Sequence, residues 1–136
     1  AAAQLHDVGM IQVPDRIVHA AGPLSPQDRA VLQTHAQIGH DLLAGSALGV
    51  FQLGAEIARR HHEHYDGKGY PDGLVGEAIP LAARIMAVVD TFDSLCHPGP
   101  DAAACTPEAA LAQIDEERSR RFDPVCAQAL FDIAAR

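Results

Sequence analysis

HHEHYDGKGYP, residues 61–71, combines three histidines with acidic side chains and a turn rich in glycine and proline. Imidazole and carboxylate groups are common metal ligands, but this composition is also typical of a solvated loop. The preceding residues 49–63 repeat apolar positions at three- and four-residue spacings, which predicts a helix whose face comprises Val50, Leu53, Ile57 and His61. The stretch is therefore either a polar loop or half of a metal site completed from elsewhere.

The amino-acid composition predicts one helical domain. The chain has 136 residues, a length that suits a single core. Hydrophobic residues make up 48% of it and aromatic residues only 4%, which favours closely packed helices over an aromatic-rich sandwich. No apolar run approaches the ~18 residues of a membrane span, and the first residues do not resemble an export signal. We expect an all-α domain over residues 1–136 without membrane insertion.

The net charge of −8 restricts the expected partners. Duplex nucleic acid and anionic membranes are bound through clustered Lys and Arg, so both are disfavoured. A phosphoester substrate is compatible with this acidity only if bound cations offset it. The three cysteines Cys96, Cys105 and Cys126 are widely spaced without a CxxC pair, which predicts free thiols and a cytoplasmic location.

Glycine, proline and capping residues divide the chain into helices and loops. We expect a helix end at residues 2–9 with Gly9 in the left-handed conformation, and then turns with at most one short helical turn over 11–25. A helix capped by Ser25 or Asp28 should run to about residue 44, and a second helix should cover 49–63. An ordered loop over 66–80 should follow, and then helices over 81–95, 106–120 and 123–136. Thr106 and Asp123 are the expected caps of the last two.

Four segments offer nitrogen or carboxylate ligands on or beside these helices. The candidates are His6, Asp7, His35, His61, His62 and Asp90. Adjacent helical residues point about 100° apart, so paired ligands suit a site with two or more metal ions, in which Asp7 can bridge with its two oxygens. Taken without family knowledge, this set of six leaves metal binding open, because no short-range ligand spacing such as HExxH occurs. A lone histidine at a helix end is usually only a half-exposed side chain.

Asp90 follows the apolar residues RIMAVV and is expected to be largely buried with them. An unpaired buried carboxylate is costly, so a partner is expected beside it. A metal ion and Arg84 are the two alternatives. Asp93 lies one turn further along the same helix, where it could bond to ligands or position a water molecule.

Several segments together resemble one family. They are LHDVG, THAQIG, IARRHHEHYDGKGYPDGLVGEAIPLAARIMAVVDTFDSL and RFDPV, and they extend over nearly the whole chain. The set is similar to the HD-GYP subgroup of the HD-domain metal-dependent phosphohydrolases. His6-Asp7 matches the HD pair, and Gly69, Tyr70 and Pro71 match the GYP motif. The resemblance implies an all-α helical bundle with the GYP loop beside a metal site.

The resemblance also implies an activity, which is hydrolysis of cyclic di-GMP. Two or three divalent metal ions, commonly iron or manganese, would hold a bridging hydroxide that attacks phosphorus. The implied ligands are His6, Asp7, His35, His61, His62 and Asp90. Asp7, as the bridging ligand, and Asp93, from its helical spacing, are the candidate catalytic residues, and Glu63 and Asp66 are expected to brace the turn. Signalling-protein partners and a homodimer are expected as well.

The sequence departs from the family pattern at three places. Met10 stands where active members carry a phosphate-binding lysine, and Gly99 and Ala102 stand about where Arg and Lys are expected. The family's preceding helices, which supply ligands for a third metal, would lie before the first residue, so we expect a truncated domain. Two alternatives stay open: a non-catalytic signalling or interaction module with this fold, and a hydrolase of another phosphoester.

Overall fold

Helices account for the regular structure of the described residues. The computed structural model describes residues 1–98 and 103–135. The α-helices are α1 Asp15–Val18, α2 Pro26–Gln33, α3 His35–Leu43, α4 Gly49–Arg60, α5 Leu81–Cys96, α6 Pro107–Glu116 and α7 Pro124–Ala134, and 3₁₀ helices cover Ala2–Leu5, Val8–Gln12 and Gly76–Ala78. Strand pairing in these ranges is limited to isolated bridges, which confirms the all-α prediction. None of the described helices is long and apolar enough to cross a bilayer.

Side-chain caps fix the starts of α2, α6 and α7. The side chains of Ser25, Thr106 and Asp123 accept hydrogen bonds from backbone N–H groups of the first turn at 2.7 to 3.3 Å. Each of these helices has a proline in its first turn. A proline there costs no hydrogen bond, because a backbone N–H at that position would have no acceptor within the helix. The caps predicted from Ser25, Thr106 and Asp123 are confirmed.

The single helix predicted to run to about residue 44 is two helices, which corrects that prediction. α2 ends at Gln33 and α3 begins at His35, with Thr34 between them. The Thr34 hydroxyl donates to the carbonyl oxygen of Val31 at 2.6 Å. The side chain of Thr34 thus binds a backbone carbonyl in the last turn of α2. His35 therefore stands at the start of a helix rather than in the middle of one.

α4 packs on α3 through small residues, so the predicted apolar face is wrong in part. Val50 and Leu53 are 40% and 44% exposed. The buried residues of α4 are Gly54, Ala55, Ile57 and Ala58. On the facing helix, a Cβ added to Gly39 would lie 3.0 Å from the Cβ of Ala58. This close approach brings the start of α3 to the end of α4, where His61 follows.

Gly9 allows the N-terminal segment to lie directly on α3, and the predicted left-handed cap is wrong. Gly9 is buried within the 3₁₀ helix Val8–Gln12. A Cβ there would lie 2.0 Å from the carbonyl oxygen of His35 and 2.6 Å from the backbone nitrogen of Gly39. Only a residue without a side chain permits this contact, which sets Asp7 beside His35.

A second apolar core lies among α5, α6 and α7. Its buried members are Val88, Ile114, Phe122, Cys126 and Ala127. At its edge Asp123, 3% exposed, forms an ion pair with Arg84 of α5. Arg84 Nε also donates to the carbonyl oxygen of Ile79 at 2.9 Å. The pair ties the start of α7 to α5, the helix that carries Asp90.

Replacing Arg84 with methionine is expected to lower the free energy of unfolding at pH 7 by about 3 kcal/mol, because the Asp123 carboxylate stays buried without its cation. Burial opposes ionisation of Asp123, but Arg84 and the backbone N–H groups outweigh it and hold the pKa below the ordinary value. The ionised carboxylate therefore stabilises the fold fully at pH values above its ordinary pKa. This contribution is lost as the pH falls through the lower folded-state pKa. Urea unfolding at pH 7 and in acid measures both effects.

The exposed Arg29 of α2 provides the control for this variant. Arg29→Met is expected to change the free energy of unfolding by no more than about 0.5 kcal/mol, as surface substitutions usually do. Equal losses of unfolding free energy in Arg84→Met and Arg29→Met would contradict a stabilising Arg84–Asp123 pair. So would a difference in unfolding free energy between Arg84→Met and wild type that does not become smaller in acid.

Candidate metal centre

Four side chains from three parts of the chain converge on one point. Ligand atoms of Asp7, His35, His61 and His62 all lie within 4.8 Å of one another. Asp7 immediately precedes the 3₁₀ helix Val8–Gln12, His35 begins α3, and the two adjacent histidines follow the last residue of α4. The packing of α3 on α4 and on the Gly9 segment therefore assembles the cluster.

The histidine rings are held with one nitrogen bound to the backbone. The Nδ1 atoms of His6, His35 and His61 lie 2.7 to 3.0 Å from carbonyl oxygens of Ala3, Leu32 and Ala58 respectively. A carbonyl oxygen only accepts hydrogen bonds, so each Nδ1 carries a proton and donates it. In the neutral ring the Nε2 lone pair is then directed away from the backbone, which is the orientation that a metal-binding histidine requires.

The Asp7 carboxylate lies between two groups of ligands. Its Oδ1 is 3.3 Å from Nε2 of His35 and 3.3 Å from Nε2 of His61. Its Oδ2 is 3.4 Å from Nε2 of His6, which in turn lies 3.3 Å from Oδ1 of Asp90. The two oxygens thus face different histidines, as a bridging carboxylate would.

Buried atoms without partners show that this donor set fits a cation. The Nε2 atoms of His35 and His61 are buried and make no hydrogen bond. A lone pair opposite a carboxylate oxygen is unfavourable unless a proton or a metal ion lies between them. Burial opposes a proton at His35, but hydrogen bonds to Asp7 and to the Leu32 carbonyl outweigh it and raise the pKa of that ring. His62 in the same cluster is held neutral, because burial first, and then the positive charges of His61 and His35, lower its pKa to about 3. Nitrogen and oxygen donors without thiolate suit a divalent transition metal.

The cluster is closed on one side and open on the other. The side chains of His35 and His61 are 1% exposed, whereas that of Asp7 is 46% exposed. His6 and Asp90 also lie on the open side. Hydrogen bonds to Asp7 and Asp90 raise the pKa of His6 to about 10, which marks the open side as the place where negative charge concentrates. A bound cation would therefore be accessible to a ligand from solvent.

The loop after the histidines lies against the cluster. The Tyr70 ring stacks on the His62 ring, with centroids 4.8 Å apart and planes 20° apart. Gly69 is required for this arrangement, because a Cβ there would lie 2.2 Å from the backbone nitrogen of His64. Tyr70 of the GYP motif therefore packs directly on a candidate metal ligand.

Glu63 and Asp66 brace this loop, as the sequence predicted. Glu63 is 2% exposed and accepts hydrogen bonds from the backbone N–H groups of Asp72 at 2.8 Å and Leu74 at 3.0 Å. Asp66 Oδ1 accepts from the Lys68 N–H at 3.0 Å. A buried carboxylate that binds two backbone donors fixes the path of the chain on both sides of the Gly69–Pro71 turn.

The geometry changes two of the arguments made from sequence. His61 and His62 do not diverge as adjacent helical residues do: α4 ends at Arg60, and the two rings lie with centroids only 4.0 Å apart. Arg84 is not the partner of Asp90, because Arg84 pairs with Asp123 while Asp90 faces His6. Asp90 is half-buried rather than largely buried.

Asp93 and the expected basic positions lie apart from this geometry. The Asp93 side chain is 74% exposed, and its carboxylate accepts a hydrogen bond from His97 Nδ1 at 3.1 Å. This contact does not support the catalytic role given to Asp93, which stays a prediction. Gly99 and Ala102 fall outside the described residues.

Sequence reasoning missed Gly9 as a packing residue and Arg121 as a neighbour of the site. Arg121 Nη2 donates to Oγ1 of Thr91 at 3.3 Å, and Thr91 directly follows Asp90. The backbone carbonyl of Arg121 also accepts from the N–H of Tyr65, in the loop after the histidines. Gly9 belongs to the LHDVG segment and Arg121 begins the RFDPV segment, so both lie in segments that carry the family resemblance. Neither segment by itself shows what these two residues contact.

Known proteins are similar in sequence to this chain. A family model described as HD domain matches residues 1–126. The cyclic di-GMP phosphodiesterase response regulator RpfG of Xanthomonas campestris pv. campestris is 53% identical over 95% of this chain and 34% of that protein. A cyclic di-GMP phosphodiesterase of Thermotoga maritima is 38% identical over 97% of this chain and 36% of that protein. The 3′3′-cGAMP-specific phosphodiesterase 2 of Vibrio cholerae is 37% identical over 96% of this chain and 25% of that protein.

A solved structure shares the fold. The crystal structure of a cyclic GMP-AMP specific phosphodiesterase of V. cholerae, V-cGAP3, superposes with a TM-score of 0.67 at 20% identity, over 97% of this chain and 36% of that one. The chain thus spans between a quarter and about a third of the length of these relatives. The matches confirm the resemblance inferred from the sequence motifs.

Proposed function

Because the chain belongs to the HD domain family, we propose that it forms the hydrolytic domain of a metal-dependent phosphodiesterase that acts on a cyclic dinucleotide. The observation that carries this proposal is the pair of buried, unpartnered Nε2 atoms facing the Asp7 carboxylate. Cyclic di-GMP is the first substrate to test, since relatives that align with nearly the whole chain bear that activity in their names. Cyclic GMP-AMP is the second.

The ligands divide into two groups that share Asp7. His35, His61 and His62 would hold one divalent ion with Oδ1 of Asp7. His6 and Asp90 would hold another with Oδ2 of Asp7. We propose two ions. The nitrogen and oxygen donors suit iron, manganese and zinc alike, and the resemblance to the HD-GYP subgroup implies iron or manganese. When bound, such ions supply Lewis acidity toward a phosphoryl oxygen and lower the pKa of water.

The chain's own residues would position the substrate on the open side of the cluster. Carbonyl acceptors hold the histidine rings, and Asp7 fixes the spacing between the two ligand groups. Tyr70 covers one face of His62 and shields it from water. These residues therefore enter the reaction already ordered, so little reorganisation is needed when charge develops on the phosphoryl group.

Arg121 would bind the phosphate in place of the lysine that Met10 replaces. Its side chain is 38% exposed, and its carboxylate partner Glu117 lies 3.6 Å away on the surface. Burial, and then the negative charge of Asp7, raise the pKa of Tyr70, while the positive charge of Arg121 opposes the rise. Arg121 Nη2 also donates to Oγ1 of Thr91, the residue that follows Asp90, at 3.3 Å, so the guanidinium lies next to the part of α5 that carries a candidate metal ligand.

Arg121→Met is expected to raise the KM for cyclic di-GMP about tenfold or more, because a charge-assisted hydrogen bond to phosphate is lost. Arg121→Lys should recover part of the affinity, since an ammonium still attracts the phosphate but cannot bind it in bidentate fashion. Steady-state kinetics of the metal-loaded chain measures both. Arg120→Met is the control, because Arg120 is exposed and donates to the Glu116 carbonyl; equal KM values in Arg120→Met and Arg121→Met would contradict the role.

Turnover of cyclic di-GMP and cyclic GMP-AMP by the metal-loaded chain, followed by chromatography, tests the proposed function. We expect linear dinucleotide or mononucleotide product from at least one substrate, and none from a His61→Ala/His62→Ala variant. A chain that binds metal but hydrolyses neither substrate would contradict the proposal and favour a non-catalytic module.

We also propose the cytoplasm as the location, supported by the free thiols of Cys96, Cys105 and Cys126. A homodimer and signalling-protein partners stay predictions. Light scattering of the purified chain at several concentrations decides the first.

A further inference from the structure

His62 is oriented differently from the other histidines of the cluster. The Nδ1 atoms of His6, His35 and His61 bind backbone carbonyls, but no such carbonyl contact orients His62 among the described residues. Outside the cluster its ring packs on Tyr70, whose backbone N–H also donates to the His62 carbonyl at 3.1 Å. A metal-binding histidine normally has its second nitrogen fixed by a hydrogen bond. The direction of the His62 ring therefore depends on where Tyr70 is held.

The carboxylate of Asp72, two residues after Tyr70, is bound by two arginines of α4. Arg59 donates from Nε and Nη2 to the two carboxylate oxygens at 3.0 Å each, and Arg60 Nη1 donates to Oδ2. The Asp72 side chain is 29% exposed and both arginines are 23% exposed. A bidentate contact between arginine and carboxylate fixes direction as well as distance. The loop is thus tied to the end of α4, which directly precedes the two adjacent histidines.

Arg59 extends this contact to α3. Its Nη1 donates to Oε1 of Gln37, and Gln37 Nε2 donates to Oδ1 of Asp41 at 2.7 Å. Gln37 lies two residues after His35, the first residue of α3. Asp72, Arg59 and Gln37 therefore connect the loop with both of the helices that position histidine ligands.

The Asp72 side chain and Glu63 hold the loop in different ways. Glu63 accepts from the backbone N–H groups of Asp72 and Leu74, so it fixes the path of the loop backbone. Arg60 Nη1 lies 3.8 Å from Glu63, beyond hydrogen-bond distance. The Asp72 carboxylate instead fixes the loop to α4, and through Arg59 to α3.

We propose that Asp72 is a positioning residue of the metal centre: through Arg59 and Arg60 it holds Tyr70 against His62 and thereby orients the His62 ring for metal binding. The inference rests on the metal centre of the proposed function and adds to it a residue outside the ligand set. It also gives the two arginines that end α4 a role in the site.

Ring contacts in the metal-free protein test the first step. In the NMR spectrum of wild type, the ring protons of Tyr70 and His62 should show nuclear Overhauser effects, because the ring centroids lie 4.8 Å apart. Asp72→Ala should weaken them, since Arg59 and Arg60 lose their shared carboxylate and repel each other. Nuclear Overhauser effects of wild-type strength in Asp72→Ala would overturn the proposal.

Asp28→Ala is the matched control for Asp72→Ala. Asp28 pairs with Arg16 at 2.7 Å and is 28% exposed, close to the 29% of Asp72, but it lies on α2. The control variant should keep the wild-type contact between Tyr70 and His62. Equal weakening in the two variants would show that loss of any arginine–carboxylate pair loosens the site, and would overturn a specific role of Asp72.

Metal affinity tests the second step. Asp72→Ala should bind manganese about tenfold more weakly, at the lower end of the ~10–100-fold cost of losing a group that orients a ligand. Asp72→Glu keeps the charge and should recover part of the affinity. Arg59→Met should weaken binding too, and the double variant Arg59→Met/Asp72→Ala no more than Asp72→Ala alone, because both changes remove one contact. Competition with a chelator measures the Kd, and losses that multiply in the double variant would overturn the shared contact.

Neither measurement requires hydrolysis, so the positioning role and the proposed function can fail separately. If the metal-loaded chain hydrolyses no cyclic dinucleotide but Asp72→Ala loses both the ring contact and the metal affinity, the positioning role stands and the proposed function fails. If Asp72→Ala binds manganese as tightly as an active wild type does, the positioning role fails and the proposed function stands. A wild type that binds no metal would overturn the positioning role.

Discussion

Asp7→Asn is expected to lower metal-dependent hydrolysis by a hundredfold or more and to abolish stabilisation of the fold by added metal. Among the described residues, Asp7 is the carboxylate whose two oxygens face different histidines, at 3.3 Å for His35 and His61 and 3.4 Å for His6. An asparagine keeps one ligating oxygen but replaces the other with an NH₂ group, which cannot bind a cation. Mutations of groups that only orient ligands already cost ~10–100-fold, so loss of a shared ligand should cost at least the upper figure.

Two measurements check this expectation. Thermal unfolding with and without manganese should give a metal-dependent rise in Tm for wild type and none for Asp7→Asn, because a ligand stabilises the state that binds it. Product formation from cyclic di-GMP gives the loss of activity. Asp132→Asn is the control, since Asp132 lies on α7 and pairs with Gln128. A normal Tm rise in Asp7→Asn would mean that Asp7 does not hold the metal.

Gly9→Ala is expected to lower the free energy of unfolding by about 3 kcal/mol and to weaken metal binding at the same time. The added Cβ would lie 2.0 Å from the His35 carbonyl oxygen, a backbone atom that cannot move without shifting the start of α3. Overpacking of this kind typically costs ~1–3 kcal/mol, and backbone displacement adds to it. Because the same contact sets Asp7 beside His35, relief of the clash would separate these two ligands.

Gly22→Ala provides a matched control for this variant. A Cβ at Gly22 would meet no heavy atom within 4 Å, so the change should leave both stability and metal affinity close to wild type. Urea unfolding of the metal-free proteins and metal titration at constant temperature measure the two effects. Gly9→Ala with wild-type stability and metal affinity would show that the N-terminal segment does not need close contact with α3.

The features that the sequence predicted well are those set by local chemistry. Ser25, Thr106 and Asp123 act as caps because a side-chain oxygen three or fewer residues from an unpaired N–H needs no tertiary information. The glycine-rich loop and its bracing by Glu63 and Asp66 follow from a dense run of turn residues. The convergence of the ligands came from the family resemblance, since local spacing alone left metal binding open.

The features that the sequence predicted wrongly depend on contacts between residues that are far apart along the chain. Val50 and Leu53 follow a helical apolar period, yet α3 approaches the side of α4 that carries small residues, and this leaves both exposed. Gly9 looked like a helix terminator because glycine commonly ends helices, but its role is set by a helix more than twenty-five residues further along the chain. Likewise, the pairing of Arg84 with Asp123 rather than Asp90 depends on where α7 docks.

Metal content per chain, measured by mass spectrometry on tag-free protein after anaerobic reconstitution with iron or manganese, tests whether the candidate ligands hold metal ions. We expect close to two transition-metal ions per chain in wild type and a clear loss in the His61→Ala/His62→Ala variant. Arg120→Met should retain the wild-type content, since Arg120 is exposed and bonds to the Glu116 carbonyl. Wild-type protein that takes up no metal under these conditions would contradict the claim that the ligands converge on a functional metal centre.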